Sequence, residues 1–546
     1  MQATGIHGAE LILLLLLLFV VAFAALARRL ETPYPIILVI AGLLLGFVPG
    51  MPKVDLEPNV IFFVILPPLL YSAAWNTAWE DFRHNLVSIA FLAIGLVGFT
   101  VLGVALVGPL LLPGFDWRTG FVLGAVVATT DAIAATSIAK RVGLPKRIVD
   151  ILEGESLVND ATGLLALEFA TAIVVHGHTP TVSSGILRLL YLSGAGIVVG
   201  LILGRIIEWF ELRIDDAPIE IAFSIFVPYA TYLAAEAIHA SGILAVVAAG
   251  LYLGRKSSRF FSPSVRLQAN AVWNALTFIL NGLVFVLIGL QLPHVLGEIK
   301  GFKLSQLFLY ATLFCAFLIL LRLVWTFPGA YFGYLIRTRI LHQNENRPGA
   351  RQVFVVGWTG MRGVIALAAA ISLPVTLAGG APFPHRNLII FLTFSLIIVT
   401  LVFQGLTLPP LIRRLGLAGA EDSFCEEQEA RALVTEAALK RLSELRENDE
   451  SDSGELYEDM TQHYQHRLDS LRGPEEIEGT SKAGRHERYL EISRELLGIE
   501  RRAALRLRNE GRISDEVARE IERELDLSET RLKAAPHSAA GFGSIQ

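Results

Sequence analysis

The sequence predicts an all-α polytopic membrane protein, with about 13 transmembrane helices built as inverted repeats with discontinuous helices, followed by a helical cytoplasmic tail. Three observations predict it. Of 546 residues, 53% are hydrophobic and only 18% charged, with a mean hydropathy of +0.54, less charge than a water-soluble domain of this size carries. Apolar runs of membrane-spanning length recur up to residue 415, whereas 416–546 is dense in charge, so the chain reads as two regions, 1–415 and 416–546. Two of the apolar runs carry acidic residues and hydroxyls near their middles, which is costly in a bilayer and marks a path for ions or substrate.

The runs fall at 9–27, 34–50, 58–75, 86–112, 117–139, 151–176, 184–209, 217–237, 240–254, 267–292, 304–332, 353–377 and 387–412. A helix needs about 20 apolar residues to cross the hydrocarbon core. The opening MQATGIHGAE lacks a basic n-region, so the run at 9–27 is a retained span rather than a signal peptide. Arg28 and Arg29 follow the first run; Lys140, Arg141, Lys146 and Arg147 follow the fifth. Arg255, Lys256, Arg259 and Arg266 follow the ninth, Arg337, Arg339 and Arg351 the eleventh, and Arg413 and Arg414 the thirteenth. These are all ends of odd-numbered runs, and the alternate loops are poor in Lys and Arg. By the positive-inside rule the odd ends and the tail are cytoplasmic and the N-terminus is outside, in a plasma membrane.

The tail reads as amphipathic helices: EEQEARALVTEAALKRLSELREN, ELYEDMTQHYQHRLDSLR, and a stretch from His486 that breaks at Asn509–Gly511. Beyond the break, Ser514 is a candidate N-cap for a face of Val517, Ile521 and Leu525. Two cysteines, Cys315 in an apolar run and Cys425 in the tail, form no disulfide framework. The net charge of −5 is too small to imply a nucleic-acid partner. No nucleotide loop, metal signature or nucleophile–base set is present, which excludes an enzyme and leaves no cofactor beyond a transported ion.

The chemistry sits in two segments. EGESLVNDATGLLALE opens the sixth run and places Glu155, Ser156, Asn159 and Asp160 at depth. Ser156 and Asp160 are four apart and share a helix face, with Asn159 adjacent and Gly163 leaving room. Hard cations take oxygen ligands of this kind. The fifth run contributes Thr129, Thr130 and Asp131 within AVVATTDAIAATS, whose small and polar residues favour an unwound point where carbonyls can face a cavity. Span 12 carries a matching irregularity, GWTGMRGVIALAAA, with Gly357, Gly360 and Gly363 around Arg362. If runs 1–6 repeat as 8–13 in inverted sense, run 5 corresponds to run 12, as these two segments require. Arg362 needs an anion, and Glu155 is the expected partner in a structural ion pair. Arg322, in the eleventh run, is a second buried cation whose partner the sequence does not name. A carboxylate held in low dielectric takes a proton more readily than one in water, so a single group can accept either a proton or a cation. Exposed alternately to the two sides, it exchanges them. Asp160 is the expected shared group, with Asp131 contributing more by its carbonyl or by positioning than by titration.

TTDAIAA, GESLVNDATG and GMRGVIALA, in this order, resemble the signature segments of the cation:proton antiporter superfamily, in its sodium/proton exchanger branch of NhaP and NHE type. The likeness covers roughly residues 10–415. It implies a thirteen-helix fold with a core and a dimerisation domain, a homodimer, and sodium/proton exchange. It also implies that Asn159–Asp160 marks electroneutral exchange, that Thr129, Asp131, Ser156 and Asp160 ligate the monovalent cation, and that Asn159 holds the site together. Two departures stand out. Ala132 occupies the place after Asp131 where many members have Pro, and Ser72 in LPPLLYSAAW stands where some archaeal members have an acid.

The leading reading is exchange of Na+ (or Li+) for H+ at Asp160. K+/H+ or mixed monovalent cation exchange is the alternative within the class. From other classes, a cation channel would conduct without a proton gradient, and an ion-sensing membrane protein would lose signalling rather than transport in Asp160→Asn.

Overall fold

Short polar side chains at the helix starts fix many of the boundaries. Asp116, Asp131, Asp216, Ser241 and Ser262 each accept a hydrogen bond from a first-turn N–H of the helix that follows, the usual work of an N-cap. The computed structural model describes residues 6–48, 57–176, 182–299, 302–343, 346–377, 381–418, 421–447, 454–472 and 482–510, with several positions between 512 and 529.

The chain divides into two compact units, Met1–Gly419 and Ala420–Gln546. The first contains α1 (Ile6–Arg29), α2 (Tyr34–Gly46), and a π-helical turn (Val60–Ile65) running into α3 (Leu66–Asn76). Next come α4 (Trp79–Ala90) and α5 (Val97–Leu111), joined without interruption through a π-helical turn (Phe91–Leu96). Then follow α6 (Trp117–Val126), α7 (Ala132–Val142), α8 (Lys146–His176), α9 (Val182–Glu211), α10 (Ala217–Ala237), α11 (Gly242–Phe260), α12 (Pro263–Glu298) and α13 (Leu304–Arg339). The unit closes with α14 (Ala350–Trp358), α15 (Val364–Ile371), and α16 (Arg386–Ile398) continued through a third π-helical turn (Val399–Gln404) into α17 (Gly405–Arg414). Helices occupy every apolar stretch read from the sequence, and the fifth and twelfth stretches are broken into α6/α7 and α14/α15. Among the described residues there is no strand, only an isolated bridge between Thr376 and Pro382.

Seven of these helical segments are long and apolar enough to cross a membrane. Their outer faces carry exposed Leu102, Leu106, Leu110, Leu187, Leu190, Ile202, Phe308, Leu320 and Phe332, more continuous apolar surface than a water-soluble protein tolerates. The first unit is thus an all-α membrane protein with discontinuous helices. Glycines let its helices approach closely, as membrane helices do. A Cβ on Gly42 would lie 2.5 Å from Val286 O, one on Gly289 2.4 Å from Val39 O, and one on Gly200 2.2 Å from Ala245 O. These contacts join α2 to α12 and α9 to α11.

The second unit comprises α18 (Glu421–Glu447), α19 (Gly454–Arg472) and α20 (Lys482–Asn509). Arg501 of α20 binds Asp526 and Glu529 at 2.5 and 3.1 Å. Ser514, the candidate cap, lies outside the described residues, as does the side chain of Cys425. Cys315 is buried and free.

Candidate cation site

The two broken helices meet at their breaks. The main-chain N–H of Asp131 donates to the carbonyl of Met361 at 2.8 Å, tying the unwound stretch before α7 to the one before α15. Ala132 replaces the expected proline, yet the helix still breaks, because Asp131 caps α7 by accepting from Ile133 N at 2.8 Å. On the α15 side the carboxylate of Asp131 fills the space a side chain would need: a Cβ on Gly363 would lie 2.5 Å from Asp131 Oδ2.

Helix α8 stitches the break from the side. The Ser156 hydroxyl donates to Thr130 O at 2.9 Å and accepts from Ala132 N at 3.3 Å, which leaves one lone pair free. The Asn159 amide donates to the Thr130 hydroxyl, which in turn donates to Glu155 Oε1 at 3.1 Å. Thr130 is therefore a link between Asn159 and Glu155. Gly163 makes room for its neighbour: a Cβ there would lie 2.4 Å from Thr129 Cγ2.

The expected pairing of Glu155 with Arg362 is corrected. Glu155 is bound by Arg322, with Nη1 to Oε1 at 2.6 Å and Nη2 to Oε2 at 2.9 Å. Arg322 Nη2 also donates to Val356 O at 3.2 Å. The bidentate geometry is the strong form of this pair, and both side chains are buried, Glu155 at 1% and Arg322 at 3% exposure. Arg322 is free to reach Glu155 because Gly360 stands aside: a Cβ there would lie 2.3 Å from Arg322 Cδ. Arg362 sits instead in the break itself. Its main-chain N–H donates to the Thr400 hydroxyl at 3.1 Å and its Nη1 to Gly360 O at 3.4 Å, within electrostatic reach of Glu155 and Arg322.

A cavity of about 380 Å³ brings together Thr129, Thr130, Asp131, Ser156 and Asp160, with Gly363 in its wall. It extends to the exposed Asn76 and Lys140, the latter paired with Glu153 at 2.8 Å. Asp160 is 3% exposed, and its Oδ1 and the Thr129 hydroxyl oxygen are buried atoms with no hydrogen-bond partner. Unbonded oxygens at this depth are costly. Of the predicted site residues, Asn159, Glu155, Arg322 and Arg362 lie outside the cavity lining. In the same lining, α12 contributes Asn274, Thr277 and Asn281, polar residues that the sequence reading passed over. Their spacing of three and four within an apolar helix was the available signal. Among the described residues no group of three His, Cys, Asp or Glu side chains could hold a resident metal. The oxygen donors suit a cation that enters as cargo.

Residues 14–414 match the sodium/hydrogen exchanger transmembrane family. An uncharacterized Na(+)/H(+) exchanger of Mycobacterium tuberculosis is 33% identical over 535 residues, 97% of each chain. A sodium, potassium, lithium and rubidium/H(+) antiporter of Bacillus pumilus is 34% identical over 76% of this chain and 62% of its own. Among solved structures, the sodium proton antiporter MjNhaP1 from Methanocaldococcus jannaschii superposes with a TM-score of 0.60 at 22% identity, covering 76% of this chain and 98% of that one; at that identity the likeness speaks for the fold. The crossing of two broken helices, the buried acids beside it and the match across the whole helical unit make this chain a member of the sodium/hydrogen exchanger family, a multi-pass membrane cation/proton antiporter and not an enzyme.

Proposed function

We propose that the protein exchanges Na+ (or Li+) for H+ without net charge movement, with the two ions competing for Asp160. The observation that carries this reading is the pair of unbonded buried oxygens, Asp160 Oδ1 and Thr129 Oγ1, on the wall of a cavity that also holds Asp131 and Ser156. A dehydrated cation supplies what those oxygens lack, and protonation of Asp160 removes the same deficit. Around the crossing stand three carboxylates (Asp131, Glu155, Asp160) and two guanidiniums (Arg322, Arg362), a formal charge of −1 when all are ionised. One Na+ or one H+ neutralises it, which supports one-for-one exchange. Asn159 contributes no charge and positions Thr130; Glu155 and Arg322 hold the break in shape.

The cavity reaches Asn76 and Lys140, at the ends of the third and fifth apolar runs. Under the positive-inside assignment this mouth faces the cytoplasm, with the N-terminus outside, the 416–546 tail inside and the protein in the plasma membrane. A homodimer belongs to the same proposal through the family. The second reading, K+/H+ or mixed monovalent exchange, is favoured by the Bacillus relative, whose name includes potassium and rubidium.

The experiment is cation-triggered proton efflux from proteoliposomes loaded at acidic pH, with Na+, Li+ or K+ added outside. Alkalinisation by Na+ and Li+ that ignores a valinomycin-set voltage and vanishes in Asp160→Asn is the expected result. A response to K+ of equal size moves the assignment to mixed exchange. Full activity in Asp160→Asn overturns the role of that carboxylate.

A further inference from the structure

A second cavity, of about 690 Å³, lies among α4, α8, α13 and α14, away from the ion site. Four arginines line it, Arg147, Arg337, Arg347 and Arg351, and no Asp or Glu is among its described lining residues. Glu345, a carboxylate of the same loop, lies outside the described residues. The positive-inside rule accounts for basic residues in these two loops, but topology needs them in water, whereas Arg337 is only 3% exposed. Arg147 and Arg337 make other contacts as well. Arg347 lies over the Tyr331 ring, 5.4 Å from its centroid, and Arg351 donates to Leu415 O at 3.3 Å.

The first turn of α14 adds main-chain donors. Gly349 to Val353 line the cavity, the Gly349 cap supplies no side-chain bond, and the turn carries no acid. Helix starts of this kind favour anions, and guanidinium forks match phosphoryl oxygens. Phe91, Leu92, Ile148, Ile151 and Ala330 form an apolar part of the remaining wall, which also carries Ser88 and Thr326. Beside it on α13, Phe327, Tyr331 and Phe332 are exposed on the outer surface.

We propose that this cavity binds a phosphate-bearing anion, with Arg347, Arg351 and the first turn of α14 taking the phosphoryl group and Phe91 and Leu92 covering an attached apolar part. A phospholipid headgroup and a soluble phosphate present the same chemistry; the apolar part of the wall, beside Phe327, Tyr331 and Phe332 on the outer surface, favours the lipid. The proposal does not depend on which ions are exchanged, and its test reads no transport.

The test is thermal unfolding of the full chain in detergent, with phosphatidylglycerol, phosphatidylcholine or inorganic pyrophosphate added. Phosphatidylglycerol is expected to raise the midpoint by several degrees and phosphatidylcholine to leave it unchanged. The Arg347→Gln/Arg351→Gln variant, altered at two exposed positions, should lose about half or more of that rise, as loss of ligand linkage requires. Arg28→Gln/Arg29→Gln, two exposed positions in the last turn of α1, should keep it. The milder Arg347→Lys/Arg351→Lys variant should fall between, since it keeps the charge and loses the fork. A rise with pyrophosphate that depends on the same two arginines assigns the site to soluble phosphates. The proposal is overturned if neither probe raises the midpoint, or if both arginine variants respond as the wild type does.

Discussion

Replacing Glu155 with Gln removes one charge from a pair that is almost wholly out of water. Glu155 Oε1 accepts from Arg322 at 2.6 Å and from Thr130 at 3.1 Å, and Oε2 accepts from Arg322 at 2.9 Å. A Gln amide can accept at one of these places, but at the other it turns a donor toward the guanidinium. At an effective dielectric of about 20, charges about 4 Å apart attract by about 4 kcal/mol. Breaking a buried pair by removing one partner costs about 3–5 kcal/mol, and here Arg362 stays nearby as a second cation. We therefore expect Glu155→Gln to destabilise by about 3–5 kcal/mol. Thermal unfolding in detergent, read beside cation-triggered proton efflux, measures it. The double variant Glu155→Met/Arg322→Met removes both charges and refills the volume, so it should unfold at a higher temperature than the single variant. A single variant within about 1 kcal/mol of wild type, or a double variant no more stable than the single, would refute the reasoning.

Three further outcomes follow from the site. Gly363→Ala sets a methyl 2.5 Å from Asp131 Oδ2; overpacking of this kind costs about 1–3 kcal/mol, so the cation KM should rise about tenfold, and an unchanged KM means the Asp131 carboxylate does not bear on the ion. Asn159→Asp adds a second negative charge beside Asp160, so efflux should become sensitive to a valinomycin-set potential; voltage-independent exchange in that variant would contradict the one-charge account. Asn281→Leu trades a polar cavity residue for an apolar one of like size on α12, and should leave folding intact while raising the cation KM severalfold; wild-type kinetics would show that α12 only encloses the path.

The breaks were legible in the sequence because both are written in local composition. Thr129 to Asp131 lie among alanines and polar residues, and three glycines surround Arg362; such stretches hold a membrane helix weakly. Asp160 and Ser156 were legible for the same reason, since four-residue spacing is a local property. The partner of Glu155 was not. Arg322 and Arg362 are both buried guanidiniums, 167 residues and 207 residues further along, and no periodicity says which side chain crosses to α8. The deciding feature is Gly360: its missing side chain is the passage for Arg322, whereas in the sequence it reads simply as a helix breaker. The α12 stripe was within reach of the sequence but lacked acids to draw attention to it.

The position of Asp131 has a consequence for how charge is shared out in this part of the membrane. It caps the start of α7, and it packs against Gly363, the residue from which α15 begins. Each helix start carries roughly half a positive charge from its aligned peptide units. Both partial charges lie beside one carboxylate, so the backbone itself helps to stabilise the charge of Asp131. Asp160 lies within the body of α8, beyond the reach of those helix starts, and its Oδ1 has no hydrogen-bond partner. The two acids are thus held differently: one is bound into the architecture, and on the proposed function the other is left for the transported ion.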